Sequence, residues 1–512
     1  MRLFPMNLGQ ARVRLVHGGA ALVTATLIAG CGSTYRPVVT PITPSGPEAQ
    51  PSSYAVVVSA PSPTTAGVAT IIDYSGDSVL ALATIGVGPE TFTIDGLGGT
   101  GYTINSDGTL SNFPLASSLQ AKQVEYTTLP STANPVNLFS PSAGLYAADL
   151  TGNVADVFSG FPQSFKLAIP VIQPTPITVV GSATVGQRIF ALSQGAVASG
   201  VACNNSPTTV GTNGEADGIE LSTNTLSSQI SLDPYNPTNA AGGTTNAQCP
   251  VYGVESADGK RLFVLNRGSD TVSVINIQDN TLDQCTPFLN QNGQTVTCHP
   301  ILPLSTAAVK ATGITPPNGT TGMTAIAGPV YAEYNQTTAQ LIVANYDGGT
   351  ISVIDVSEDE YGNDSQTFGT TFTIPVGNNP ASVTVLADGS RAYTANQTDQ
   401  TVTVVDLSSN TVEKTLAVTG HPRTVASTQN SQEGKVYVAS PDSPYLTILR
   451  TDLDIVDTTV LVEGNIVDVR VTTQNGASGN ANITSRRPGY GQPCFLPGTT
   501  AAATLASCRT LP

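Results

Sequence analysis

The sequence predicts an all-β fold, a β-propeller of seven or eight four-stranded blades, on three observations. Short strand-like segments recur at a spacing of about forty to fifty residues through the second half of the chain, with glycine-bearing turns between them. Charged residues make up only 11% of the 512 residues, about half the usual share, and Ser, Thr, Asn, Gly and Pro fill the difference. Hydroxyl-rich, turn-rich chains favour strands over helices. At 40% hydrophobic residues, most of the chain has the apolar surface a folded core requires.

The repeat is clearest in four units. Lys260–Asn266 is followed by Thr271–Asn276, Gln340–Asn345 by Thr350–Asp355, Arg391–Asn396 by Thr401–Asp406, and Lys435–Ser440 by Tyr445–Arg450. Each reads as the second and third strand of a blade. Such strands have neighbouring blades on both faces and need not alternate apolar with polar. Ser and Thr between the valines let adjacent sheets approach closely. Asp258-Gly259 and Asp388-Gly389 suit the tight hairpins between strands, because glycine accepts positive φ. In the first half only the strand rhythm persists, with second strands expected to begin near Ala55, Gly101, Gly144 and Arg188. The count favours eight. The array opens on a second strand and closes on a lone first strand, Ile466–Val471, which is expected to complete the N-terminal blade and close the ring.

These units resemble the YVTN-type (YncE-like) repeat of bacterial envelope propellers. A blade of that family runs from an apolar strand through an Asp-Gly turn, Tyr-Val-Ala-Asn, a short loop and Val-Ser-Val-Ile-Asp to an outer strand and Val-Gly-x-x-Pro. Val376-Gly377-Asn378-Asn379-Pro380 is a good blade end and Val418-Thr419-Gly420-His421-Pro422 a looser one. The match is specific over residues 250–470 and weak over 54–250. The family more often has seven blades.

The N-terminal thirty residues carry Arg2, Arg12 and Arg14, no acid, and then the short apolar run from Ala20 to Ala29. That pattern is a secretory signal peptide, and the run is far shorter than the roughly twenty residues a membrane span needs. Its exit, Leu27-Ile28-Ala29-Gly30-Cys31, resembles the bacterial lipobox. The resemblance implies cleavage before Cys31 and lipidation of its thiol. Residues 33–53 follow, with Pro37, Pro41, Pro44, Pro47 and Pro51, as a semi-rigid spacer. The expected organisation is a signal peptide over 1–30, a lipidated cysteine and linker over 31–53, a propeller over 54–471 and a C-terminal tail over 472–512. The protein is expected to be exported, lipid-anchored to the bacterial cell envelope, and monomeric.

With Cys31 acylated, six cysteines remain: Cys203, Cys249, Cys285, Cys298, Cys494 and Cys508. An even set fits an oxidising compartment and permits fifteen pairings. The blade topology narrows them. Loops joining the second strand to the third, and the fourth to the next blade, share one face of the disc. Three long insertions fall there, over 194–217, 233–250 and 305–328. Cys203 and Cys249 therefore share a face, Cys285 and Cys298 flank Asn292-Gly293 as a hairpin staple, and Cys494 and Cys508 are left to close the tail.

Several functions are disfavoured. The formal charge of −16 becomes −19 when the three signal-peptide arginines leave, so no basic face exists for nucleic acid. No C-x-x-C, H-E-x-x-H, G-x-S-x-G or P-loop pattern occurs, and no metal or cofactor is expected. His299 and His421, each before a proline, read as structural. Asn266, Asn345 and Asn396 recur at one blade position and read as a strand-end hydrogen-bonding device. Glu358–Asp364 is oxygen-rich but lacks calcium-loop spacing, and reads as a solvated acidic loop. The leading expectation is a binding or scaffold module that meets a protein or glycan through its loop-rich face. The alternatives are a propeller enzyme of the lactonase or quinoprotein dehydrogenase type and a structural surface-layer component.

Overall fold

The computed structural model describes residues 54–472 apart from 142–143, 151, 161–162, 172–175, 182–187, 196–212, 236–245 and 429, together with residues 485–486. The signal peptide, Cys31, the linker, Cys203, Cys494 and Cys508 lie outside the described residues.

Eight four-stranded antiparallel blades form the ring. Blade one is closed as the sequence predicts: its inner strand is the C-terminal Asn465–Val471, followed outward by Tyr54–Ala60, Ala66–Asp73 and Val79–Val87. Val57 pairs with Val469 and Val56 with Arg470 across the closure. The Tyr54 amide donates to Thr472 Oγ1 at 2.7 Å and seals its end. The inner strands of the other blades are Thr93–Ile94, Pro135–Phe139, Pro176–Gly181, Pro250–Glu255, Pro329–Asn335, Pro380–Val385 and Thr424–Ser427. The second strands over Thr100–Ile104, Leu145–Asp149 and Arg188–Ser193 stand where the rhythm of the first half places them.

Burial follows radial position. Second strands such as Arg261–Asn266 are buried throughout, whereas the outer strand Thr411–Ala417 of blade seven is almost wholly exposed. The core consists of apolar layers between neighbouring sheets. Val254, Phe263, Ile342 and Val383 belong to one cluster spanning blades five to seven. Val57, Val469 and Tyr437 belong to another that joins blade one to blade eight across the closure. Burying a Val, Ile or Phe side chain contributes about 1.5–3 kcal/mol, so face-to-face packing of sheets dominates the stability of the ring.

Side chains also stitch inner strand to inner strand. Asn137 Oδ1 accepts from the Val179 amide at 2.8 Å, Glu333 from the Val385 amide at 3.0 Å, and Ser382 Oγ from the Val425 amide at 3.0 Å. Each bond crosses from one blade to the next.

Two features depart from the repeat. In blade five the outer strand is split into Thr281–Leu282 and Ile301–Pro303, both paired to Thr271–Asn276. The intervening residues form a hairpin, Phe288–Leu289 with Thr295–Val296, stapled by the Cys285–Cys298 disulfide. The insertion after blade five contains a short helix, Thr306–Thr312, capped by Ser305 Oγ at one end and by Gly313 at φ 71° at the other.

Candidate functional site

Antiparallel alternation puts every loop between second and third strands, and every blade-to-blade connection, on one face of the ring, here called the upper face. All three predicted insertions fall on it. The third strand of blade four begins at Glu215, so the first insertion ends slightly earlier than expected.

The recurrent asparagines lie at this face and act as the sequence predicts. Asn266 Nδ2 donates to Thr271 Oγ1 at 3.2 Å and to Ser273 Oγ at 2.8 Å. Asn345 does the same to Thr350 and Ser352, and Asn396 to Thr401 and Thr403. Blade two carries a fourth copy, Asn105 with Thr109 and Ser111. The sequence reading missed it because the surrounding strands of blade two lack the repeat. Each amide ties the end of a second strand to the start of the third.

Blades five to seven are further joined above this device. Arg267 makes a bidentate ion pair with Asp347 at 2.9–3.1 Å and lies 5.6 Å from the centre of the Tyr346 ring. Tyr346 Oη donates to Gln397 Oε1 at 2.9 Å. Burial raises the pKa of the Asp347 carboxyl, and the Arg267 guanidinium works against that rise. Asp270 accepts from the Ala327 and Gly328 amides at 3.1 and 2.7 Å, closing the base of the 305–328 insertion.

Blades three and four differ. At the registers held by Asn, Thr and Ser elsewhere, blade three has Asp149, Val154 and Asp156, and blade four has Ser193, Glu215 and Asp217. All four acids are buried. Burial raises the Asp156 pKa to about 7, with the Asp149 charge and a hydrogen bond shared with that carboxyl adding to it. Two of the three insertions leave from blade four at this face, one between its second and third strands and one between its fourth strand and blade five. Their stems are built: Asp233 accepts from the Tyr235 and Asn246 amides at 2.9 and 2.8 Å, and Asn213 Oδ1 from the Ala247 amide at 3.2 Å. Gly214 packs on Pro250 so closely that a Cβ would lie 2.3 Å from the ring, which excludes any side chain there. Cys249 is disulfide-bonded; its expected partner, Cys203, lies outside the described residues.

On the lower face the acidic loop corrects the sequence reading. Its tip, Glu360-Tyr361, is solvated, but its two ends are not. Glu358 pairs with Lys260 at 3.1 Å, and Asp364, fully buried, accepts from both the amide and Nδ1 of His299 at 3.0 and 2.7 Å. Arg261 reaches Asp283, Asp364 and Glu358 at 3.4, 3.8 and 4.0 Å. The His299 ring stacks on Phe368 at 5.2 Å. Burial and the Asp364 charge raise the Asp283 pKa to about 7, against the pull of Arg261. The signal was a basic Lys260-Arg261 pair, with Lys260 98 residues from Glu358, which no local pattern connects. The loop thus locks the stapled hairpin of blade five to blade six. Among the described residues no group of three or more His, Cys, Asp or Glu side chains is placed to hold a metal ion.

His421 is held in the same way as His299. Asp442 accepts from its amide at 2.8 Å and meets its Nδ1 at 2.6 Å, while Gln400 Nε2 lies 2.9 Å from its Nε2. Both histidines are therefore fixed by a carboxylate at backbone and ring together.

Around the ring axis, Tyr252 and Tyr331 of neighbouring inner strands stack at 4.7 Å. Asp468 accepts from Arg470 Nη2 at 2.8 Å, and Arg423 donates to the Val467 carbonyl. Desolvation lowers the Arg423 pKa. Ser485–Arg486 forms a fifth strand on the inner strand of blade three.

No family model matches the sequence, and no curated protein matches it. Solved structures match the fold. AztD from Citrobacter koseri is 13% identical, with a TM-score of 0.50 over 82% of this chain and 97% of that one. The dihydro-heme d1 dehydrogenase NirN, solved in complex with DHE, is 14% identical, with a TM-score of 0.51 over 92% of this chain and 88% of that one. A 6-phosphogluconolactonase-like protein from Bacteroides fragilis is 15% identical, with a TM-score of 0.47 over 83% of this chain and 99% of that one. At these identities the likeness is one of fold alone.

Proposed function

We propose that this chain is an exported, lipid-anchored β-propeller that serves as a binding or scaffold module, meeting a protein or glycan partner through the upper face above blades three and four. One observation carries the reading. The insertions there stand on constructed stems, with Asp233, Asn213, Gly214 and the disulfide-bonded Cys249 at their base, whereas blades two, six and seven keep minimal turns at the same register. Rigid scaffolds that carry ordered loops on one face commonly bind through them. The anchor rests on Cys31 and the lipobox resemblance, and the linker of residues 33–53 holds the ring off the membrane.

Crosslinking in intact envelopes tests the face. A variant with residues 196–212 replaced by a short turn should lose the captured partner while its thermal transition persists; an unchanged set of crosslinks sinks the reading. Radiolabelled palmitate should enter the wild type and not Cys31→Ser. The alternative is a propeller enzyme of the lactonase or quinoprotein dehydrogenase type. A stoichiometric ion or cofactor retained by the purified mature protein would favour that alternative over a purely binding role.

A further inference from the structure

We propose that the Cys285–Cys298 disulfide is a site of thiol–disulfide exchange with a dithiol reductant, and that its reduction releases the blade-five hairpin and His299 from blade six. Residues 284–289, which include Cys285, are exposed without interruption, whereas Cys298 is half-buried. An exposed disulfide is open to the thiolate that must attack one of its sulfurs, and disulfides of this kind are the labile or regulatory ones. Cys249 is also disulfide-bonded, but it is only 5% exposed. The described cysteines thus belong to one open bridge and one that is shielded at Cys249.

The open bridge sits at the root of the lower-face clamp. It holds the Cα atoms of its cysteines 5.5 Å apart and so closes the neck of the insertion. Both ends of that neck are clamp residues. Asp283, two residues before Cys285, pairs with Arg261, and His299, directly after Cys298, donates its amide to Asp364 of blade six. Beyond the neck, Asn292 Nδ2 donates to Glu360 Oε1 at 2.9 Å, and the Thr295 carbonyl accepts from Gln366 Nε2 at 3.0 Å. These contacts with blade six rest on a hairpin with only Phe288–Val296 and Leu289–Thr295 paired. An isolated two-stranded hairpin is marginal in water, so the disulfide is what keeps this one presented to blade six.

The exchange balances with the dithiol as electron donor. A thiolate of the reductant attacks the exposed Cys285 Sγ, the S–S bond breaks, and Cys298 leaves as a thiolate. The reductant's second thiol loses its proton and attacks the reductant's own sulfur in the mixed disulfide, expelling Cys285 as a thiolate. Two electrons pass to the bridge, the reductant ends as a disulfide, and its two protons come to rest on Cys285 and Cys298. The neck is then free to widen, Asp364 loses the His299 amide, and the loop over 358–364 parts from the hairpin. The blade itself persists, because Thr281–Leu282 and Ile301–Pro303 stay paired to Thr271–Asn276. This reading is independent of the upper-face function.

The full-length protein in native buffer tests it, with dithiothreitol as the dithiol and the released thiols alkylated and followed by peptide mass spectrometry. Cys285 and Cys298 should be alkylated about tenfold faster than Cys249, or more. Hydrogen exchange at the His299 amide and over residues 357–368 should accelerate by about fivefold in the selectively reduced protein and return on reoxidation, while exchange in blade seven stays unchanged. Cys285→Ser/Cys298→Ser should show the fast exchange without dithiothreitol and not respond to it. Reduction of Cys249 as fast as Cys285 overturns the open site. Unaltered exchange at His299 and over 357–368, in the reduced protein or in the serine variant, overturns the release from blade six. Acceleration that spreads to blade seven overturns a local switch.

Discussion

Blades five to seven and blades three to four solve the same structural problem with different chemistry. Each must fix the junction between its second and third strands at the upper face. Blades five to seven use a neutral amide that donates to two hydroxyls, so the junction is tied without burying a charge. Blades three and four place Asp149, Asp156, Glu215 and Asp217 at those registers, and two long insertions leave from blade four at the same face. Buried carboxylates cost stability unless protonated or paired. The contrast teaches that the regular blades are optimised as scaffold and the irregular pair departs from the scaffold rule where the surface above is elaborated.

The comparison can be broken most sharply from the scaffold side. Asn345→Asp replaces two donated hydrogen bonds with a buried charge and should cost about 3–4 kcal/mol, read by urea denaturation. A loss below ~1 kcal/mol would mean that the amide is incidental to blade six. Next in size is Arg267→Met, which leaves Asp347 without its bidentate partner and should cost about 2–3 kcal/mol at neutral pH, with the loss relieved as pH falls, because burial already raises the Asp347 carboxyl and losing the guanidinium raises it further.

Converting blade three to the regular device sharpens the contrast in the opposite direction. Asp149→Asn/Val154→Thr/Asp156→Ser should stabilise the protein by about 1 kcal/mol at pH 8 and by less at pH 5. The sign follows from the folded-state pKa. Asp156 is raised from 3.8 to about 7, so the folded protein holds a proton that the unfolded chain releases. That stability is fully present below pH 4 and is lost as pH rises through 7. Asp283, also at about 7, adds a parallel loss in the wild type that the triple variant retains. A denaturation midpoint that rises between pH 5 and 8 in the wild type would contradict both assignments.

The smallest global effect is expected at the stapled hairpin. A disulfide closing a loop of this length constrains the unfolded chain by about 3 kcal/mol in principle. The hairpin is, however, an insertion at the blade edge, free to open locally. Cys285→Ser/Cys298→Ser should therefore change the global midpoint by less than about 1 kcal/mol while making residues 286–297 the first site of limited proteolysis.

Blades five to eight were legible because their strands repeat. Asn266, Asn345 and Asn396 stand at equal offsets from Thr271, Thr350 and Thr401, and equal offsets in sequence became one hydrogen-bonding geometry. Asn105 escaped notice because its strand, Thr100–Ile104, shares the register but not the composition. The lower-face lock was invisible for another reason. Arg261 and Lys260 meet Glu358 and Asp364 only because blades five and six are neighbours, and neither local segment records that adjacency.

The sequence by itself determined the all-β class, a count of seven or eight blades that favours eight, and the closing role of Ile466–Val471, because these follow from local periodicity and from the requirement that no sheet edge stay open. It also supports the export signal and the lipidated Cys31 as expectations. Tertiary structure alone decided that the acidic loop is a paired clamp, that an outer strand divides around a disulfide hairpin, and that Ser485–Arg486 lies against the inner strand of blade three. Each of those depends on which distant side chains or strand edges come together, and that choice is made by long-range packing energies that no short stretch of sequence contains.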